Sequence, residues 1–144
     1  MAIDNEPSTY NSMEISDYFS ATVVSQIMEG LVTLNPKTLQ IEPLIAKSWK
    51  VSDDGLIYEF ELRSDVLFHN HEAFASEEDR TLKPGDVMST FERICTKKKD
   101  GSLPHAFHFL FEGTLKGAQE FSNGMAKQIS GIKVNGNKIS LQLV

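Results

Sequence analysis

The pattern that most constrains this chain lies between Trp49 and Leu62. Trp49-Lys50-Val51 leads into Asp53-Asp54-Gly55, after which Tyr58, Phe60 and Leu62 alternate with Glu59 and Glu61. Side chains along a strand point to opposite faces in turn, so this period of two sorts the apolar residues to one side and the carboxylates to the other. Gly55 stands where the chain must reverse, and only glycine takes positive φ there at little cost. The segment predicts a β-hairpin with one apolar and one acidic face. Such a hairpin needs further strands or helices against its apolar side. Trp49, the only tryptophan, is predicted to anchor the core beside Tyr58 and Phe60.

Upstream the period is helical. Phe19, Val23, Val24, Ile27, Met28 and Leu31 form one stripe between Ser16 and Leu31, with Ser16 or Ser20 as the cap and Gly30 as the stop. Leu31-Val32-Thr33-Leu34 and Leu39-Gln40-Ile41 then flank Asn35-Pro36-Lys37-Thr38, predicting an irregular hairpin. Val66-Leu67-Phe68 predicts a short strand, and the polar stretch 70–83 an exposed loop. Pro84 suits the first turn of a helix, where its missing N–H costs nothing, and Asp86 lies where a carboxylate favours the positive end of the helix dipole. Val87, Phe91 and Ile94 continue that helix to Lys97-Lys98-Lys99-Asp100-Gly101. An aromatic run at Phe107, Phe109, Leu110 and Phe111 precedes a shorter helix around Ala118 to Ser122. Ile132-Lys133-Val134 and Ile139, Leu141 and Leu143 close the chain as a hairpin through Asn135-Gly136-Asn137. Strands, then helices, then strands make an α+β arrangement rather than a doubly wound sheet.

The 144 residues are enough for one domain with a sizeable core. No apolar run approaches the ~20 residues that span a bilayer. Residues 1–12 are polar and lack the apolar centre of a signal peptide, so the leader of an exported protein would have to precede this sequence. Val144 follows Leu143 with no polar tail, which predicts a chain cut within a strand. A formal net charge of -6 argues against nucleic acid as a partner, because phosphate binding needs a basic surface. Residues 1–70 carry 11 acids and 4 bases, whereas 71–144 carry 9 and 10, a skew that reads as a solvated acidic face. A single cysteine, Cys95, cannot form an internal disulfide.

Reactive constellations are sparse. His69 and His71 would share a strand face and His105 and His108 a helix face, yet no His-Glu-x-x-His or paired Cys-x-x-Cys accompanies them, so no metal site is predicted. Cys95, between Ile94 and Thr96 on a predicted helix, reads as a small apolar side chain rather than a nucleophile. There is no Gly-x-Ser-x-Gly elbow and no Gly-x-x-x-x-Gly-Lys loop. Asp53-Asp54-Gly55 lacks the further oxygen ligands of a calcium loop and reads as a turn. The expectation is a protein without catalytic residues and without a cofactor.

Taken in order, Glu29-Gly30-Leu31, Pro43 to Trp49, Asp53-Asp54-Gly55, Phe60 to Arg63, Phe68-His69 and Asp86-Val87 resemble one family. It is family 5 of the extracellular solute-binding proteins, the peptide and nickel class that serves ABC importers. Lys116-Gly117-Ala118-Gln119-Glu120-Phe121 and the stretch Ile129 to Leu143 extend the resemblance, which runs from Tyr10 to Val144. Three places depart from it. Tyr10-Asn11-Ser12 replaces a Leu-Asp-Pro-like segment, Asn70-His71 opens a longer acidic loop where the family turns on Asp-Gly, and Lys83 replaces a capping Thr.

The resemblance implies a small mixed α/β subdomain in the first lobe of a periplasmic-binding-protein-like fold, built of antiparallel hairpins and a few packed helices. Residues 1–30 would form a lead-in segment and helix, and 31–144 the subdomain, of a protein several times longer. It further implies the substrate-binding component of an ABC importer for oligopeptides or dipeptides, with nickel as the family's other solute. The permease subunits would be its partners. It would lie in the periplasm or on the cell surface, held to the membrane only by a lipid anchor outside this chain. The peptide would lie between two lobes, so this portion alone is not expected to bind it. Of the residues present, Ser16, Asp17, Tyr18 and Phe19 match positions near that cleft, and Asp17 would meet a ligand's ammonium group. Its alternative role is a carboxylate stabilising the helix N-terminus. The competing reading of the whole chain is a self-contained, non-catalytic protein–protein interaction domain.

Overall fold

The computed structural model describes residues 5–144; the first four residues of the polar lead-in lie outside the described residues. Helix α1 (Tyr18–Ile27) is followed by strands β1 (Val32–Leu34), β2 (Ile41–Pro43), β3 (Ala46–Val51) and β4 (Ile57–Leu62). Helices α2 (Pro84–Ile94), α3 (His105–Leu110) and α4 (Ala118–Ser122) come next, then β5 (Ile132–Asn135) and β6 (Lys138–Gln142). β1 and β2 form a two-stranded sheet. The other four strands form an antiparallel sheet in the order β3-β4-β6-β5, so the last hairpin inserts its second strand beside β4.

The Trp49–Leu62 pattern folds as its period requires. Trp49 pairs with Phe60 and Val51 with Tyr58, while Ser52 and Gly55 close the turn through a Gly55 N–H to Ser52 carbonyl bond of 2.9 Å, with Gly55 at φ 73°. Phe60 in turn faces Ile139, and Tyr58 faces Leu141, which extends the apolar face across the sheet. Helices α2 to α4 and the loops between them cover that face. Leu62, Phe107 and Ile139 are fully buried there with Ala46, Cys95 and Ala118. Burying one large apolar side chain of this kind contributes about 1.5–3 kcal/mol. Trp49 lies on this face but is only half-buried, outside the buried core, on the edge strand β3.

The opposite face carries Glu59 and Glu61 as expected, but it is not simply acidic. Neighbouring strands set lysines beside them, with Lys138 Nζ 2.8 Å from Glu59 and Lys47 Nζ 2.8 Å from Glu61. Glu61 is held below the usual carboxylate range by its hydrogen bond to Lys47, and Lys138 is raised by its bond to Glu59. All four side chains keep contact with water, so these pairs serve solubility more than stability.

Several elements differ from the sequence reading. Helix α1 ends at Ile27, not at Gly30: Met28 is already extended, and the carbonyls of Gly30 and Leu31 accept the N–H groups of Ile45 (3.3 Å) and Ala46 (2.8 Å) instead. Linking to the start of β3 outweighs another helical turn. Val66–Phe68 makes one bridge, Leu67 to Thr81, rather than a strand, because Pro84 begins α2 two residues after the bonded Leu82. The aromatic run is helix α3, with Phe107 inward and Phe109 in water. In the last hairpin Asn135 pairs with Lys138, so Gly136-Asn137 are the central residues, and only Gly136 has positive φ. Pro84 does open α2, and Asp86 accepts the Lys83 N–H at 2.7 Å, which supplies a cap that lysine's own side chain cannot.

Candidate functional site

The residues singled out near a ligand cleft, Ser16 to Phe19, meet at the entrance of α1. Asp17, rather than Ser16 or Ser20, is the N-cap. Its extended backbone (φ -132°, ψ 157°) turns the carboxylate onto the first helical turn, where Oδ1 accepts the Ser20 N–H at 2.8 Å. A short acidic side chain one position before a helix satisfies an N–H that no carbonyl can reach. Oδ2 accepts the hydroxyls of Ser20 (2.6 Å) and Ser8. Ser20, fully buried, also accepts the Thr9 N–H at 3.1 Å, so one hydroxyl ties the lead-in to the helix. These donors favour the ionised form. Ser20's hydroxyl foremost, then Ser8's, brings the Asp17 carboxyl down to about 2.

The neighbours are placed differently. Tyr18 is 74% exposed and stands edge-on to Phe19, with ring centroids 5.8 Å apart and planes at 79°. Phe19 is half-buried, and Ser16 is exposed. The entrance of α1 therefore offers solvent one aromatic ring and one hydroxyl. The adjoining carboxylate is negative throughout the neutral range but already engaged by its own chain.

A second feature escaped the sequence reading. The lead-in crosses the C-terminal end of α2 and leaves a cleft of about 240 Å³ bordered by Asn11, Glu14, Arg93, Lys97, Lys98 and Pro104. Glu14 bridges it, with Oε1 3.2 Å from Lys98 Nζ and Oε2 3.4 Å from the His105 N–H. Glu14 and Lys98 lie 84 residues apart, and no local pattern could have paired them. The cations here belong to a helix C-terminus, where they offset the negative end of the dipole.

Three of the four histidines make local contacts. His108 Nδ1 meets Glu112 Oε2 at 2.8 Å, His105 packs on Phe109, and His71 Nδ1 accepts the Ala73 N–H. Among the described residues no three His, Cys, Asp or Glu side chains converge as a metal would need. Cys95 is buried at the end of α2, and burial, with Glu92 a lesser cause, pushes its thiol up to about 11. Among the described residues no helix is long and apolar enough to cross a membrane.

The profile of the bacterial extracellular solute-binding proteins, family 5 Middle, matches residues 40–143, and the chain belongs to that family. It is a family of binding proteins. Among characterised relatives, the chain is 28% identical over 128 residues to the peptide transport periplasmic protein SapA of Salmonella typhimurium, covering 84% of this chain and 23% of that protein. It is 36% identical over 103 residues to a probable di/tripeptide-binding protein 5 of Pseudomonas aeruginosa, covering 67% of this chain and 18% of the relative. Among solved structures, a periplasmic oligopeptide-binding protein (OppAIV) of Borrelia burgdorferi superposes on 98% of this chain and 26% of its own, with a TM-score of 0.78 and 28% identity. The chain thus spans about a quarter or less of the length of these proteins. Its fold is that of a small mixed α/β part of a solute-binding lobe.

Proposed function

We propose that this chain is one portion of the first lobe of a substrate-binding component that delivers oligopeptides or dipeptides to an ABC importer. The observation that carries the reading is the superposition of nearly the whole chain on a quarter of an oligopeptide-binding protein at 28% identity, where sequence and fold agree. Residues 1–30 act as lead-in and helix, and 31–144 as the small subdomain. The complete protein works outside the cytoplasm, in the periplasm or at the cell surface on a lipid anchor, and docks on permease subunits. Peptide lies between this lobe and a second one.

The entrance of α1 is the part of this chain nearest the peptide. Tyr18 offers an exposed ring for apolar packing, with Ser16 beside it as a hydrogen-bond partner and Phe19 supporting the ring from behind. Asp17 contributes mainly by holding that entrance. Its carboxylate is occupied by Ser8 and Ser20, so it acts on a ligand ammonium group through its field more than by direct contact. Binding needs both walls of the cleft. Calorimetry with short peptides should therefore show micromolar affinity in the longer protein and none in residues 1–144. Peptide binding by the 144-residue chain alone would refute the reading, as would its absence from the longer protein. Replacing Tyr18 by Ala in the longer protein should weaken binding about tenfold, a stacking contact of roughly 1–1.5 kcal/mol.

A further inference from the structure

The chain is negative overall, at -6, yet the cleft between its lead-in and the end of α2 is positive. Arg93, Lys97 and Lys98 line it against a single carboxylate, Glu14. The helix dipole accounts for only part of this, because its negative end carries about half a charge. Arg93, in the last turn of α2, already meets that need. Lys97 and Lys98 lie beyond the cap at Cys95, and the nearest acids in sequence, Glu92 and Asp100, do not line the cleft. Asp100 is turned onto the N–H and hydroxyl of Ser102, at 2.9 and 2.6 Å.

Glu14 does not use up these cations. Its oxygens stand 3.2 Å from Lys98 Nζ and 3.4 Å from the His105 N–H, longer than the ~2.7–2.9 Å of a strong charge-assisted bond. Among the described residues Arg93 and Lys97 take part in no ion pair. The walls around them are fixed. The Met13 carbonyl accepts the Ala106 N–H at 2.9 Å, and the Met13 side chain packs on the core beside buried Pro104, giving the cleft an apolar floor. Asn11 Oδ1 accepts the Met13 N–H at 3.1 Å, which leaves its amide NH2 as a neutral donor on the rim.

We propose that this cleft binds a small organic anion, a carboxylate or a phosphate group carried on a short apolar body. Arg93 supplies the planar fork that meets two oxygens of either group, Lys97 a second charge, and Met13 and Pro104 the surface for the apolar part. The volume, about 240 Å³, lies below the ~300–1,000 Å³ of sites for drug-sized ligands, so the occupant is small. Glu14 is the chain's own anion in that place. A ligand shares Lys98 with it, and binding is tighter when the competing charge is removed.

The test is calorimetry on the longer protein, without peptide, using glutarate and inorganic phosphate as probes and the neutral diamide glutaramide as the control. At least one anion should bind with a Kd below about 1 mM, and glutaramide should not. Heat from glutarate alone assigns the site to carboxylates, and heat from phosphate alone to phosphate groups. Arg93→Gln should weaken binding at least about tenfold and Lys97→Gln about threefold. Arg93→Lys, which keeps the charge and loses the fork, serves if Arg93→Gln does not fold, and should still weaken binding. Glu14→Gln keeps acceptors for Lys98 and His105 and should tighten binding about threefold. Lys133→Gln, on β5 and away from the cleft, should change nothing. No heat from either anion at about 10 mM would overturn the proposal. So would an affinity that ignores the Arg93 and Lys97 variants, or one that Glu14→Gln leaves unchanged or weaker. The peptide reading is tested separately, and either idea can fail while the other stands.

Discussion

Two regions of this chain use apolar residues in opposite ways. From Ala46 onward, four strands and three helices close on one another, and the large side chains Leu62, Phe107 and Ile139 are removed from water entirely. Before Ala46, α1 and the β1–β2 hairpin carry more polar ties: Asp17 to Ser8 and Ser20, Asn35 to its own turn, and the N–H groups of Ile45 and Ala46 to the carbonyls of Gly30 and Leu31. The first region owes its order to burial, which is non-directional and cooperative across the core. The second buries less, with Val24 of α1 buried and Leu31 packed against the core, and leans more on hydrogen bonds, each worth about 1 kcal/mol net. Regular secondary structure is thus common to both, but only one region has a core of its own.

Substitutions should break the comparison unequally. Phe107→Ala removes the largest fully buried side chain and should cost about 3–5 kcal/mol, read as a lower urea midpoint for the whole sheet region. Gly131→Ala comes next. A Cβ there would stand 2.6 Å from the Lys116 carbonyl and 2.8 Å from that of Gln142, so the loop before β5 must shift, at about 1–3 kcal/mol in the same measurement. The capping carboxylate should act on α1 alone. Because the folded Asp17 sits at about 2, below its ordinary 3.8, its contribution is complete above the ordinary value and lost as the pH falls through 2. Circular dichroism should show α1 fraying across that acid window while the sheet persists, and Asp17→Asn, which keeps a capping acceptor, should flatten the pH dependence. Smallest is Leu39→Gly. Leu39 is held at φ 56° in the β1–β2 turn, and glycine relieves about 1 kcal/mol of left-handed strain. Slower amide exchange in residues 33–42, with no change in the global transition, would mark that hairpin as a separate cooperative unit.

The fold was legible wherever residue type and period agreed. Tyr58-Glu59-Phe60-Glu61-Leu62, the Gly55 turn, Pro84 at the head of α2 and the Ala118–Ser122 helix all follow from local chemistry, and the structure has them where the pattern puts them. The misplacements share a cause. Gly30 did not stop α1 because β3 competed for its carbonyl, and Val66–Phe68 did not become a strand because its partner segment runs into Pro84. Such competition between distant segments leaves no local trace in sequence. The resemblance pointed to Ser16–Phe19 but not to the partners of Asp17, since Ser8 lies nine residues away in an irregular segment. The Glu14–Lys98 bridge was farther still from any readable pattern. The acidic face of the sheet was misjudged for the same reason: its lysines come from β3 and β6, not from β4.

Native-state amide hydrogen exchange on residues 1–144 tests the two-region account most directly. Amides of Phe60, Leu62 and Ile139, bonded between β4 and β6 in the closed sheet, should exchange only with global unfolding, at least about a hundredfold more slowly than those of Val24, Met28 and Asn35, whose opening is local. Uniform protection across α1, the β1–β2 hairpin and the sheet would contradict it, because the chain would then be a single self-sufficient cooperative unit.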